Sequence, residues 1–421
     1  MAYNGYVTFA DNVRKAENSD NLYLCECYGE TVVIGSDIKE GDLVLYLPTD
    51  GKLERWFGDK LHLFRKNEDG TPQGGYMEDN GHIRAIKLRG NRSYGIVISI
   101  ARISEVFGFP EDWKAGDAVN TLHGEQFCEK YIPKRRHVPQ EGGGKKSWKG
   151  RRADGIKFPD FAMHADTEQF AYNTHRFKEG DIVQMTLKMH GTSGRSAYTE
   201  AVLPNNWFRR LFHLKPKKEL RYVCGTRRTV VTNGDGGFYG DDTFRLDVHE
   251  KIMPALAEGM EVFYEIVGWV NKNTPIMPPG DAKKVSKEFA KEFGKTQLFT
   301  YGCDEGEHDF YVYRISYNNG ETEATPEQIR EWCEHNGFHY VPEVETFTWT
   351  TVEDAKERIS KYFEDLIDPV GKTHIKEGVV LRILNRPNWV AFKDKTFEFK
   401  VIEGIIKESA VAPDMEEAQE V

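Results

Sequence analysis

Short β-like runs separated by turn residues fill the first 130 positions of this 421-residue chain. They are either continuously apolar or alternate apolar with polar residues, which is typical of strands. The six runs are YVTFA, LYLCECY, TVVIG, GDLVLYLP, IRAIKL and YGIVISI. Many short strands without a long helical pattern indicate a small barrel, so we predict an OB-like β-barrel over residues 1–130.

The rest of the chain combines strand-like runs with amphipathic helices, and 421 residues are too many for one ordinary core. TPEQIREWCEHNGF predicts a helix with Thr325 as N-cap, Pro326 in the first turn and Gly337 as the stop. A helix in DDTFRLDVHEKIMPALAEGM is predicted to end near Gly259, and TVEDAKERISKYFEDLI predicts a third. We therefore predict an α+β fold, with a second, α+β domain over residues 158–405.

Three segments have other compositions. Residues 131–157 are rich in Pro, Gly and basic residues, which predicts a basic linker, and residues 406–421 predict a disordered acidic tail. The stretch 206–222 interleaves aromatic with basic residues, a pattern that suits a nucleic-acid strand. The alternative is a surface excursion whose aromatic side chains pack under the domain. The net charge of -10 argues against polyanion binding by the whole surface, but a local basic groove stays open.

The composition also indicates in which cellular compartment the protein is expected. No apolar run is long enough to span a bilayer and no secretory signal is evident, so we expect no membrane association and a cytoplasmic location. The six cysteines are scattered without C-x-x-C spacing, which favours a reducing compartment over a zinc site.

A single lysine, Lys188, stands between the strand-like run GDIVQMTL and the loop sequence MHGTSGR. Gly191 and Gly194 predict a tight turn directly after the strand. On its own such a lysine is more often a solvated charge than a nucleophile, so the rest of the chain has to decide.

Four later runs carry charged residues on or beside apolar strands: Arg227 and Arg228 in CGTRRTVV, Glu265 in MEVFYEIVGW, Glu377 in KEGVVLRIL, and Lys393 and Lys395 in AFKDKTFEFK. Each run alone is equally compatible with a surface-facing position. Together they suit chemistry on a nucleotide phosphate. An amine that attacks phosphorus must be unprotonated, which neighbouring cations favour. Carboxylates can hold hydrated Mg²⁺, lysines can stabilise phosphate charge, and an arginine can bind phosphate or ribose.

The order K-x-H-G, Arg, Y-E-x-x-G, E-G-V-V, K-x-K resembles the covalent nucleotidyltransferases, specifically the ATP-dependent RNA ligases that carry an N-terminal OB module. IKLRGNRSYGIVI, DTEQF and FYVYRI resemble the same group, and the likeness extends over residues 5–402. It implies an RNA ligase that joins 3′-OH and 5′-phosphate ends through enzyme-AMP and RNA-adenylate intermediates, with ATP and Mg²⁺ or Mn²⁺ as cofactors. It also implies RNA as the partner, a monomer, and a phage or virus as one source, in which case the location is the host cytoplasm.

The resemblance assigns a role to each residue of the set. Lys188 would become adenylylated; His190 and Gly191 would line the nucleotide site; Arg227 would contact ribose or the RNA terminus; Glu265 would bind ribose or a metal-bound water; Tyr313 (or Tyr311) would stack on adenine; Glu377 would bind the metal; and Lys393 and Lys395 would contact the α-phosphate.

Two departures and two alternatives remain. His190 stands where many members have an Asp near the metal's water shell, so one anionic contact is missing. Leu187 stands where many RNA ligases have Glu, which weakens the inference of ATP over GTP. The alternatives are a GTP-dependent capping-type guanylyltransferase and a catalytically inactive RNA-binding relative. The 26 residues after Lys395 are too few for the C-terminal OB domain of capping enzymes, and the intact residue set argues against an inactive relative.

Overall fold

The computed structural model describes residues 3–403 except 17, 18, 20, 50, 67–70, 73, 74, 76, 90, 111, 112, 132–154, 162, 163, 165, 166, 205–214, 228, 232–238 and 240. The predicted acidic tail, the predicted linker apart from its ends, Arg228 and the first part of the aromatic and basic stretch lie outside the described residues.

The chain is a mixed α+β protein that divides into two compact units. The first consists of Met1–Pro139, Ala282–Glu292 and Lys400–Val421, and the second of Gln140–Asp281 and Phe293–Phe399. The described α-helices are α1 (Arg55–Lys60), α2 (Ile100–Phe107), α3 (Thr243–Ile252), α4 (Lys287–Glu292), α5 (Pro326–Asn336), α6 (Val352–Phe363) and α7 (Phe397–Glu403). Within the described ranges, none of these helices has the length and apolar character needed to cross a membrane.

The first unit is built from short antiparallel strands. They are β1 (Gly5–Phe9), β2 (Asp11–Lys15), β3 (Tyr23–Cys27), β4 (Glu30–Ile34), β5 (Leu43–Leu47), β6 (Gly51–Leu53), β7 (His82–Ile83), β8 (Ala85–Leu88), β9 (Asn91–Tyr94), β10 (Ile96–Ser99), β11 (Ala118–Val119), β12 (Thr121–Leu122), β13 (Glu125–Gln126) and β14 (Cys128–Lys130). Each of the six runs picked out in the sequence overlaps at least one of these strands.

These strands form five separate sheets, with the orders β10-β5-β1-β11, β14-β6-β7, β2-β3-β4, β12-β13 and β8-β9. An apolar core is formed mainly by the first two of these sheets and α1, and it includes Leu45, Leu47, Phe57, Phe64 and Phe127. No closed barrel is found among the described residues, so the OB-like barrel is not confirmed. What is observed is a sheet-rich α+β unit.

The second unit contains two larger sheets. Its strands are β15 (Glu168–Gln169), β16 (Ile182–Lys188), β17 (Thr192–Val202), β18 (Lys218–Gly225), β19 (Val230–Val231), β20 (Met260–Asn271), β21 (Thr274–Pro275), β22 (Gly280–Asp281), β23 (Thr296–Gln297), β24 (His308–Tyr317), β25 (Thr322–Glu323), β26 (His339–Tyr340), β27 (Glu343–Thr348), β28 (Gly378–Ile383) and β29 (Ala391–Lys395). One sheet has the order β15-β29-β28-β16-β27, and the other has β19-β18-β17-β20-β24-β25 with β21 and β26 attached.

Each of these sheets buries one face against helices. Helices α3 and α5 pack on the larger sheet through residues such as Val248 and Ile329, and α6 packs on the smaller sheet through Ile359. Because successive side chains in a strand point to opposite faces, the polar residues of β16, β20, β28 and β29 lie on the other faces. Contacts there join the two sheets, since Trp389 packs against the guanidinium groups of Arg314 on β24 and Arg382 on β28.

The predicted helix boundaries are confirmed for α5 and differ for α3. Thr325 is the N-cap of α5, Pro326 begins it, and Gly337 ends it in the left-handed conformation. Helix α3 ends at Ile252 rather than near Gly259. Pro254 lies in the 3₁₀ turn that follows, and a proline cannot continue an α-helix because it lacks the N–H group. Gly259 instead forms a positive-φ turn that leads into β20.

The cap of α5 gives a test of the fold. Thr325 and Gln328 form a reciprocal capping box, in which each side chain accepts a hydrogen bond from the other residue's backbone N–H. Replacing Thr325→Ala removes one acceptor and should lower the free energy of unfolding by about 1 kcal/mol. Urea denaturation followed by circular dichroism measures the change. Thr325→Ser keeps the hydroxyl and should stay close to wild type; an equal loss in both variants would contradict the capping role.

Candidate active site

Strand register brings the two lysines at the strand ends to the same carboxylate. Lys188 is the last residue of β16 and pairs with Gly378 of β28, which pairs in turn with Lys395 of β29. Paired residues of neighbouring strands lie on the same face, so both lysine side chains extend over Gly378. A Cβ at position 378 would collide with the Asp394 carbonyl oxygen, which explains the glycine. Glu377, one residue earlier, thus lies between the two lysines.

Glu377 is only 2% exposed and is held by three basic side chains. Its Oε2 lies 2.9 Å from Lys188 Nζ and 3.6 Å from His190 Nδ1, and its Oε1 lies 3.1 Å from Lys395 Nζ. Burial alone would raise the pKa of this carboxyl, but Lys188, Lys395 and His190 outweigh burial and hold the pKa well below its usual range. Glu377 is therefore an ionised, fully compensated carboxylate.

Glu265, on β20 of the larger sheet, is the opposite case. This half-buried side chain makes no hydrogen bond or ion pair with any residue that the structure describes. Burial raises its pKa to about 7, because the attraction of Lys188 and Arg227 offsets desolvation only in part and Glu377 adds repulsion. Glu265 pairs in register with Ser193 of β17, whose buried Oγ lies beside the Tyr313 hydroxyl. The Glu265 carboxyl can therefore bind a ligand.

A β-bulge separates the two tyrosines considered for base stacking. Phe263 pairs with Arg314 and Tyr264 with Val312, so Tyr313 is the extra residue of the bulge. Tyr313 lies near Trp389, at 6.4 Å between ring centroids, with Glu265 and Arg227 as charged neighbours. Burial raises its pKa to about 12, so the phenol is neutral. Tyr311 instead stacks on His339 at 5.2 Å and is 8% exposed.

The loop after Lys188 is fixed by buried contacts. The His190 N–H donates to the Tyr301 hydroxyl at 2.7 Å. Arg245 of α3 donates to the Ser193 carbonyl at 2.8 Å and to Thr192 Oγ1 at 2.6 Å. A side chain at Gly191 would collide with the Ile266 carbonyl oxygen, so only glycine lets the loop approach β20 this closely.

The remaining predicted residues lie around this centre. Lys393 is half-buried, two residues before Lys395 on the same face of β29. Arg227 lies between β18 and β19, and its charge acts on Glu265. No group of three or more His, Cys, Asp or Glu side chains in the described ranges is arranged to hold a metal ion. A metal bound between Glu265 and Glu377 would therefore need further oxygen ligands from a nucleotide and water.

Sequence reasoning missed Arg245, Tyr301, Ser193 and Trp389. Each contacts residues far away in the sequence: Arg245 reaches Ser193, Tyr301 reaches His190, and Trp389 reaches Arg314. No local motif marks any of them, so only the folded chain reveals their place.

Comparisons with known proteins identify a family and a similar fold. The model of the family described as RNA ligase matches residues 181–402. No curated protein sequence matches the chain. Among solved structures, the Naegleria gruberi RNA ligase with PPi is similar with a TM-score of 0.61 and 15% identity, covering 95% of this chain and 98% of that one. A mutant of that ligase with ATP and Mn gives a TM-score of 0.59 at 15% identity, with the same coverages. At this identity the likeness concerns the fold.

The raised pKa of Glu265 gives a pH test. The pKa of Glu265 is higher in the folded state than in the unfolded state. The folded protein therefore loses stability as the pH rises from the unfolded-state pKa to the folded-state pKa. Glu265→Gln should therefore be more stable than wild type at pH 8, by about 1 to 2 kcal/mol after allowing for its partial exposure. The difference should vanish near pH 4. Melting temperatures across this pH range provide the measurement, and a destabilised Glu265→Gln protein at pH 8 would contradict an uncompensated carboxylate.

Proposed function

Because this chain belongs to the RNA ligase family, we propose that it joins RNA 3′-OH and 5′-phosphate ends with ATP, through a lysyl-AMP intermediate on Lys188 and then an RNA-adenylate. The observation that carries the proposal is the buried Glu377 carboxylate between Lys188 and Lys395, with Glu265 nearby. A lysine nucleophile, a second lysine for phosphate charge and two carboxylates match the needs of nucleotidyl transfer to an amine. A solved structure of similar fold contains ATP and Mn, which supports the choice of nucleotide and of a divalent metal.

The residues present fit a nucleotide and a divalent cation. Glu265 makes no hydrogen bond or ion pair to described residues, so its carboxyl is available for ribose, metal or metal-bound water. Glu265 and Glu377 would hold Mg²⁺ or Mn²⁺, which would polarise the α-phosphate and offset its charge. Tyr313 would stack on the base, Arg227 would contact ribose or the RNA terminus, and His190 and Gly191 would line the site.

Before reaction, the Lys188 ammonium must separate from Glu377 and lose one proton to solvent water, because an attacking amine has to be unprotonated. The Lys188 nitrogen then forms a bond to the α-phosphorus, the bond from phosphorus to the bridging oxygen breaks, and pyrophosphate leaves with the electron pair. Lys393 and Lys395 would stabilise the charge on the α-phosphate oxygens during this step. The RNA 5′-phosphate next takes AMP from Lys188, and the 3′-OH displaces AMP.

The organisation of the whole chain is part of the proposal. Residues 158–405 would form the nucleotidyltransferase domain and residues 1–130 an OB-like RNA-binding module, joined by the basic linker 131–157 and followed by the tail 406–421. RNA would bind along basic surface through phosphate contacts, which position a strand without reading its sequence. The monomeric state, the cytoplasmic location and a role in RNA repair in phage stay predictions.

Lys188→Ala should abolish transfer of label from [α-³²P]ATP to the protein, because it removes the amine that would form the phosphoramidate. A denaturing gel measures the covalent adduct. Lys178→Ala removes an exposed lysine ten residues earlier and should label like wild type. A Lys188→Ala protein that still forms the adduct at full yield would overturn the assignment.

Label transfer should require Mg²⁺ or Mn²⁺ and should favour ATP over GTP. Glu377→Gln should reduce its rate by about 100-fold or more, because the variant removes a metal ligand and the shared partner of two lysines. Glu353→Gln, at an exposed position in α6, is the matched control and should be unaffected. Metal-independent transfer, or an adduct formed only with GTP, would contradict this proposal.

A further inference from the structure

A buried segment that no motif includes reaches all three elements of the proposed catalytic centre. Gln297, Phe299 and Tyr301 are 0%, 3% and 5% exposed and lie between the end of β23 and the start of β24. We call these three residues the brace. Their side chains contact the loop after Lys188, the turn before Glu377 and the helix after Lys395.

Tyr301 holds the loop after Lys188. Its hydroxyl accepts the N–H of His190 at 2.7 Å, two residues after Lys188. Burial raises the pKa of Tyr301 well above its usual range, so the phenol stays neutral. The N–H is buried as well, and without this acceptor it would be left unsatisfied, which is the costly outcome for a buried backbone donor.

Gln297 and Phe299 hold the other two elements. The Gln297 side-chain carbonyl accepts the N–H of Ile375 at 3.0 Å, two residues before Glu377. The Phe299 ring packs edge-on against His374 at 5.2 Å and against Phe399 at 5.6 Å, four residues after Lys395.

Two further contacts close this arrangement. Phe299 also packs edge-on against His190 at 4.7 Å, and Tyr301 packs edge-on against His374 at 4.5 Å. The elements that carry Lys188, Glu377 and Lys395 therefore share one set of packed neighbours. Movement of any one of them would disturb contacts made by the other two.

Tyr301 adopts a backbone conformation that a bulky residue seldom takes. Its φ is 54°, in the left-handed region that favours glycine. Such strain persists only where surrounding contacts impose it, and it concentrates at functional sites. Here the contacts are those of the Tyr301 hydroxyl with His190 and of its ring with His374.

We propose that Gln297, Phe299 and Tyr301 are positioning residues for adenylylation, with Tyr301 fixing the nucleophile loop and Phe299 and Gln297 fixing Glu377 and Lys395. The inference rests on the proposed function, since it assigns these residues to the same site. It predicts different effects for two substitutions. A change at Tyr301 should slow only the reaction in which Lys188 is the nucleophile, whereas a change at Phe299 should slow every reaction that uses Glu377 and Lys395.

The test compares two reactions of the full-length protein. One is single-turnover label transfer from ATP to Lys188, and the other is sealing of RNA that already carries a 5′-adenylate, which bypasses Lys188. Tyr301→Phe should slow label transfer at saturating ATP by between about 10-fold and 100-fold, because small misplacements of a reacting group are costly. The half-saturating ATP concentration and the sealing of adenylated RNA should stay within about twofold.

Controls separate positioning from packing. Tyr46→Phe removes another buried tyrosine hydroxyl, one that donates to the Tyr94 carbonyl in the first unit, and should leave label transfer unchanged. Phe299→Leu, which keeps an apolar side chain, should slow both reactions without changing the circular dichroism spectrum. Should Tyr301→Phe fail to fold, Phe299→Leu decides the question alone by the same two assays.

The proposal would be overturned by a folded Tyr301→Phe protein that labels within about twofold of wild type, or by one that loses both reactions equally. It would also be overturned by a folded Phe299→Leu protein with both rates unchanged. A failure of the proposed function has a different signature, since wild-type protein would then form no adduct with any nucleotide.

Discussion

The rest of the proposed site depends on one buried charge, the Glu377 carboxylate. A carboxylate that is 2% exposed costs several kcal/mol of desolvation unless cations compensate it. Lys188 and Lys395 supply that compensation from two different strands, and they reach Glu377 only because the register of three neighbouring strands is exact. The burial of this charge therefore ties catalytic geometry to sheet pairing: a slip of one residue in β16 or β29 would leave the charge uncompensated.

Much of this second unit could be predicted from local sequence. Alternation of apolar and polar residues marked β16 and β29, and the capping residues marked α5 at both ends. Lys188, Glu377 and Lys395, which were named from the sequence, form ion pairs with one another in that unit. The brace could not be predicted, because Tyr301 meets His190 across 111 positions and its identity follows from no periodicity. A contact of that kind is decided by packing in the complete fold.

In the first unit, the strands could be predicted from the sequence but their arrangement in sheets could not. All six β-like runs overlap strands, because strand formation follows from alternation and β-propensity. The arrangement of the strands in five sheets does not follow from those patterns. Closure of a barrel depends on which distant edges pair, and residue patterns within single strands do not specify that. The end of α3 illustrates a local version of the same problem. Pro254 ends the helix before Gly259, the residue predicted from the sequence to end it.

The two carboxylates of the proposed site differ in how far neighbouring cations compensate their negative charge. Glu377 is fully compensated without any ligand, whereas Glu265 is partly desolvated and has no partner among described residues. A cation bound at Glu265 would favour its ionised form and remove the penalty that now raises its pKa. Binding there would stabilise the fold, while any ligand that draws Lys188 from Glu377 must replace the charge it removes. In the proposed reaction, a cation at Glu265 would therefore relieve an existing penalty, whereas moving Lys188 away from Glu377 would create one.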